Sequence, residues 1–195
     1  LPYSLDPLEY DAYIHHLTNR SLFSCLTSEY KLGEVSGEVA ESWGHNLDKT
    51  KWTFKLKHNL KFSNGDDLTP EIVGKSLTRA AYIMKTKDSR SSLLENLIDL
   101  ESLNNASAKF NGIRWDDHNL YLSFRNPQEQ VPLRLSFGLY AIIHPNNYSS
   151  INGEWISNSI VFSGPYKVEK WDDLNFKIRL WDNKRLTLKR PIEAV

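Results

Sequence analysis

Val39–Arg79 reads VAESWGHNLDKTKWTFKLKHNLKFSNGDDLTPEIVGKSLTR, and it carries three local signals in order. Trp52, Phe54 and Leu56 alternate with Thr53, Lys55 and Lys57, the period of two of a strand with one buried face. Asn64-Gly65 supplies a tight reversal, because both residue types accept positive φ. Thr69 then caps a helix start that Pro70 preorganises, although Ile72 stands where a complete capping box has an acid. Val73, Leu77, Ala80, Ala81 and Met84 fall on one helical stripe, which leaves Lys75, Thr78 and Arg79 mostly on the other faces. The stretch predicts a strand, a turn and a helix packed on that strand.

On its N-terminal side, Leu5-Asp6-Pro7 closes an extended segment. Ile14, Leu17, Leu22, Cys25 and Leu26 then share one face of a helix expected from about residue 10 to 26. On the C-terminal side, residues 86–118 are polar and poorly periodic apart from Leu93, Leu94, Leu97, Ile98 and Leu100. They predict a short helix inside a loop-rich excursion. Leu120, Leu122 and Phe124 alternate again up to Asn126-Pro127, and Tyr166, Val168, Phe176, Ile178 and Leu180 define a late hairpin around Trp171-Asp172-Asp173. The sum is an α/β chain, a mixed sheet with packed helices, with no internal repeat.

Composition narrows the function classes. The 195 residues suit one domain or two small lobes, and an apolar content of 40% supports a real core. Twenty-four basic residues balance 24 acidic ones with no basic cluster, which argues against a nucleic-acid partner. No apolar run approaches the roughly 20 residues of a membrane span, and no signal-peptide pattern opens the chain. Cys25 is the only cysteine, so no disulfide closes within the chain, and its apolar neighbours mark a buried structural thiol.

Catalytic and metal constellations fall short. His15-His16 are adjacent, and adjacent helical residues point about 100° apart, whereas two ligands on one face need a spacing of three or four. His45, His58, His118 and His144 are scattered, and no metal or cofactor is assigned. Gly33-Glu34-Val35-Ser36-Gly37 places its serine one position too late for a nucleophile elbow and reads as a turn. Asp66-Asp67, Asp116-Asp117 and Asp172-Asp173 sit where aspartate forms turns. Trp43, Trp115, Trp155 and Trp171 fall outside the clean alternation and are the aromatic candidates for a cleft. Trp181 lies on the opposite parity from Ile178 and Leu180.

The ordered motifs resemble those of the extracellular solute-binding proteins, family 5, which serve oligopeptide, dipeptide and nickel ABC importers. Leu5-Asp6-Pro7 resembles the family's opening, and Val39-Ala40-Glu41-Ser42-Trp43 its Leu-Ala-x-Ser-Trp element. Trp52-Thr53-Phe54-Lys55-Leu56-Lys57 is similar to its Tyr-Thr-Phe-x-Leu-Arg strand, and Lys61-Phe62 with Gly65 to its Lys-Phe-x-x-Gly turn. Asp116-Asp117 with Leu120-Tyr121-Leu122 resembles the strand after the inserted subdomain, and Gly164-Pro165-Tyr166 the Gly-Pro-Tyr element. Three departures imply a divergent member. Gly37 replaces a usual proline, Pro70-Glu71-Ile72-Val73 replaces Ala-Glu-Asp-Val, and Phe162-Ser163 replaces Gly-Thr.

The resemblance implies a periplasmic-binding-protein-like fold of the large type II class, here the first lobe with its inserted subdomain. Residues 1–35 and 160–195 are expected in the main subdomain and 36–159 in the inserted one, with the second lobe absent from this chain. It implies a binder and not an enzyme, one that closes two lobes over an extracytoplasmic peptide and delivers it to the membrane permease of an ABC importer. A signal or lipoprotein leader is expected in the parent chain. Counting from the Leu-Asp-Pro proline, the family's backbone contacts to the ligand fall on Asp11, Ala12 and Tyr13. Two other classes stay open: a ligand-sensing domain of a regulator, and a small hydrolase or carbohydrate-binding domain. Within the binder class, nickel, haem or a sugar stands beside peptide.

Overall fold

The computed structural model describes residues 4–9, 13–87, 93–156, 159–172 and 175–181. Helix α1 spans Tyr13–Leu22, and a first hairpin pairs β1 (Thr27–Lys31) with β2 (Glu34–Gly37). Strands β3 (Ala40–His45), β4 (Lys51–Leu56), β5 (Ile113–Trp115) and β6 (Asn119–Ser123) form a four-stranded sheet in the order β3-β4-β6-β5. The long helix α2 spans Pro70–Thr86, α3 is the short turn Val131–Arg134, and a last hairpin pairs β7 (Tyr166–Trp171) with β8 (Phe176–Leu180). Helices and sheets are combined as expected, and every ladder between described strands is antiparallel.

The alternation in β4 does what its period requires. Trp52, Phe54 and Leu56 are buried, and Lys51 and Lys55 are exposed. Phe54 stands opposite Leu120 and Trp52 opposite Leu122 on β6, which makes one apolar face for α2. The helix answers with Val73, Leu77, Ala80 and Ala81, all 5% exposed or less. Val73 and Leu77 each contribute roughly 1.5–3 kcal/mol when fully buried, and each alanine methyl nearer about 0.8 kcal/mol. The start of α2 is as expected: Pro70 opens it, and the Thr69 hydroxyl accepts the Ile72 N–H at 3.4 Å. Gly65 turns the preceding loop with φ of 95°. Gly74 is a contact point as well, since a Cβ there would lie 2.2 Å from the Trp115 ring. Trp115 therefore packs across the helix and does not line a cleft on that side.

Four expectations are corrected. The first helix ends at Leu22, short of residue 26, because Ser24–Leu26 find hydrogen-bond partners outside a helix. The Ser24 N–H donates to the Ser163 hydroxyl at 3.0 Å, the Ile142 N–H donates to the Ser24 carbonyl at 2.8 Å, and Val39 N–H donates to the Cys25 carbonyl at 3.2 Å. The helix expected inside residues 86–118 is two short 3-10 turns, Leu93–Asn96 and Leu100–Ser102, which bury Leu93, Leu94 and Leu100. Residues 34–37 form β2, so only Leu32-Gly33 make the turn. Most consequentially, Thr78 and Arg79 are buried, at 3% and 2% exposure.

Two apolar cores result. The larger joins the four-stranded sheet, α2 and residues 93–142. The smaller gathers Leu5, Leu22, Phe23, Cys25, Ile143, Tyr148 and Phe162, with Tyr166, Val168, Phe176 and Ile178 of the last hairpin packed against it. Cys25 is the buried thiol its neighbours implied, and burial pushes it up to about 12.

Candidate ligand-binding site

The segment that opens the chain is tied down from both ends. Asp6 is 5% exposed, and its carboxylate accepts two parallel hydrogen bonds from Arg79 of α2, at 2.9 and 2.6 Å. This fork is the geometry in which a guanidinium holds a carboxylate most firmly. Arg79 Nε donates to the Gly153 carbonyl at 2.8 Å, and its guanidinium carbon lies 5.2 Å from the Tyr148 ring centre and 5.7 Å from that of Trp155. Burial pushes the Tyr148 phenol up to about 12, so the ring beside the cation stays neutral. Asp6 also shapes its own turn: its Oδ1 accepts the Leu8 N–H at 3.1 Å, and its carbonyl accepts the Glu9 N–H at 3.0 Å. Leu5 beside it is fully buried.

Past this anchor, α1 begins at Tyr13. Its far end is fixed by the Gly164 N–H, which donates to the Leu22 carbonyl at 2.8 Å. Gly164 sits so close to that strand of backbone that a Cβ would stand 2.5 Å from the Leu22 carbonyl carbon and 2.7 Å from the Phe23 nitrogen. Only glycine fits there without backbone movement. Ser163 supplies a hydroxyl that accepts from Ser24 and donates to the Ile142 carbonyl at 2.6 Å, so the departure from Gly-Thr keeps the hydroxyl. Trp181 Nε1 donates to the Gly164 carbonyl at 2.6 Å and ties β8 to the same point.

Of the three residues expected to meet a ligand, Asp11 and Ala12 lie outside the described residues, and Tyr13 is the first residue of α1. The aromatic candidates divide. Trp43 and Trp115 pack on the larger core, and Trp155 meets Phe23 edge to face at 6.1 Å. Trp171 is 37% exposed. The aspartate pairs are turn-formers, as expected: Asp116 accepts the N–H groups of His118 and Asn119, and Asp172 accepts that of Asn175, with Asp173 outside the described residues. Among the described residues, no three His, Cys, Asp or Glu side chains come together to hold a metal, and no helix is long and apolar enough to cross a membrane.

Arg79 is the residue that sequence reasoning missed. A signal was present. Its helical neighbours four residues away are Lys75 and Ile83, so it has no acid within reach along the helix and must find its partner elsewhere.

A model of the bacterial extracellular solute-binding proteins, family 5 Middle, matches residues 34–186. The chain belongs to this family. Within it, the periplasmic oligopeptide-binding protein OppA of Salmonella typhimurium is 26% identical over 201 residues, covering 96% of this chain and 36% of that protein. The dipeptide-binding protein DppE of Bacillus subtilis is 26% identical over 152 residues, 75% of this chain and 27% of that protein. The solved OppA of Burkholderia pseudomallei superposes with a TM-score of 0.75 at 24% identity, over 92% of this chain and 36% of that one. The fold is therefore that of the periplasmic oligopeptide-binding proteins. This chain spans about a third of the length of these family 5 relatives.

Proposed function

We propose that the chain provides the first lobe of the substrate-binding component of an ABC importer, which captures oligopeptides or dipeptides outside the cytoplasm and hands them to a membrane permease. The observation that carries this reading is the 26% identity to a periplasmic oligopeptide-binding protein along 96% of the chain. The anchored opening supports it. Asp6 is clamped to Arg79, and the helix that begins at Tyr13 is pinned at Leu22, so the expected contact positions are flanked by anchored residues. An extended peptide can add its own backbone to main-chain groups at such positions while its side chains enter permissive pockets.

In this reading Asp11, Ala12 and Tyr13 meet the ligand backbone, and closure of the two lobes over the peptide is the signal to the permease. Residues 1–35 and 160–195 belong to the main subdomain, with 36–159 inserted. Capture changes no covalent bond. Residence is in the periplasm or at the cell surface, reached with a signal or lipoprotein leader.

The test is native mass spectrometry of the full-length protein purified without denaturation. A mixed population of retained short peptides is the expected result, with slowed hydrogen exchange at the amides of residues 11–13 when peptide is added back. Retention of a single sugar, haem or nickel species, or of nothing, would overturn the peptide assignment.

A further inference from the structure

His58 and His118 come from distant parts of the sequence and are laid side by side by the sheet. The Leu56 N–H at the end of β4 donates to the His118 carbonyl at 3.0 Å, and the Lys57 N–H donates to the Val39 carbonyl at 3.0 Å. His118 is held on its other side too. Asp116 accepts its N–H at 2.8 Å and is itself fixed by the Asn119 N–H at 2.7 Å and the Tyr121 hydroxyl at 2.6 Å. The two imidazoles meet with ring centres 5.6 Å apart and planes at 76°. Both residues are exposed, and neither ring forms a hydrogen bond or ion pair with another described residue.

That separation suits a shared metal ion. A metal about 2.1 Å from an imidazole nitrogen sits roughly 3.2 Å from the ring centre, so two rings on one ion have centres about 4.5 Å apart at a right angle and about 6.4 Å apart in line. The observed 5.6 Å falls between these limits and corresponds to a nitrogen–metal–nitrogen angle near 120° by the same arithmetic. The nearby positive charges are engaged elsewhere: Lys55 pairs with Glu41 at 2.7 Å, and the Lys57 ammonium donates to the Gly37 carbonyl at 2.9 Å.

We propose that His58 and His118 form a two-histidine surface site for a divalent first-row metal that favours imidazole: nickel, copper or zinc. Water fills the remaining coordination positions, and copper binds more tightly than nickel. The site involves none of the residues assigned to peptide capture, so it stands whether or not that assignment does.

The test is a Cu2+ titration of the full-length protein read by electron paramagnetic resonance, with the His58→Ala and His118→Ala variants alongside. The expected spectrum of the first-filled site shows coupling to two imidazole nitrogens. Each variant reduces this to one nitrogen and weakens binding at least tenfold. Both rings are exposed, so the variants keep the native circular dichroism. Two-nitrogen coupling that persists in both variants, or no binding that either variant weakens, would overturn the proposal.

Discussion

Replacing Asp6 with asparagine tests the anchor directly. The asparagine side chain keeps nearly the same volume and an oxygen for the Leu8 N–H, now 3.1 Å from Oδ1, so the change isolates the carboxylate's bond to Arg79. One of the two oxygens facing the guanidinium becomes an NH2 group, and Arg79, 2% exposed, is left charged and uncompensated. Removing one partner of such a buried pair costs about 3–5 kcal/mol. In a chain of this size each kcal/mol lowers Tm by about 2–4 °C, so the melting temperature should fall by roughly 6–20 °C. Removing both charges, as Asp6→Leu with Arg79→Met, restores a neutral interior and should recover much of the loss. It leaves the Gly153 carbonyl without the Arg79 Nε donor and the Leu8 N–H without the Asp6 acceptor, each a residual cost of up to about 1–3 kcal/mol. Thermal unfolding followed by circular dichroism reads both. A loss below about 1 kcal/mol for Asp6→Asn, or a double variant no more stable than the single one, would refute the account of a desolvated pair.

Two more outcomes follow from particular contacts. Gly164→Ala forces a Cβ against the Leu22 and Phe23 backbone and should cost at least the 1–3 kcal/mol or so typical of overpacking, read as a lower midpoint in urea; an unchanged midpoint would show that the backbone yields there. His144 is held neutral: its Nδ1 accepts the Asn146 N–H at 3.1 Å, its Nε2 faces Asp66 at 3.1 Å, and burial lowers its proton affinity against the opposing pull of Asp66. The unfolded chain therefore binds the proton first, so stability falls as pH drops below about 6.5 and levels off once the folded state is also protonated, with a slope of at most about 1.4 kcal/mol per pH unit from this group. His144→Asn, which keeps an oxygen for the Asn146 N–H, should flatten the profile below about pH 6.5; an identical profile would remove His144 as its source.

Legibility in the sequence followed the range of the forces. The strand at Trp52–Leu56 and the helix start at Thr69-Pro70 depend on neighbours within a few residues, and both stand where the alternation and the cap put them. The end of α1 was not readable, because what stops it is a set of partners at Val39, Ile142 and Ser163. Gly164-Pro165-Tyr166 was visible as a motif, but its reason, the contact with the Leu22–Phe23 backbone, exists only in the fold. Arg79 was misread because a charge on a helix is usually solvated, and its partner lies 73 positions away. For the ligand site, the anchors at Asp6 and Leu22 are structural, while the contacts at Asp11, Ala12 and Tyr13 rest on family position.

The bond between Asp6 and Arg79 also sets an order of events. Asp6 is made among the first residues of this stretch, yet its guanidinium partner follows 73 residues later and the carbonyl that braces that partner another 74 residues on. At synthesis rates of roughly 5–20 residues per second, the Asp6 carboxylate waits on the order of 10 s for its guanidinium. Leu5 gains Leu22, Phe23 and Cys25 as neighbours early, but its other cover, Ile143, Tyr148 and Phe162, comes only with the brace. The clamp on Asp6 is thus complete only once this stretch has been made as far as Gly153, whose bracing carbonyl is the last part to arrive.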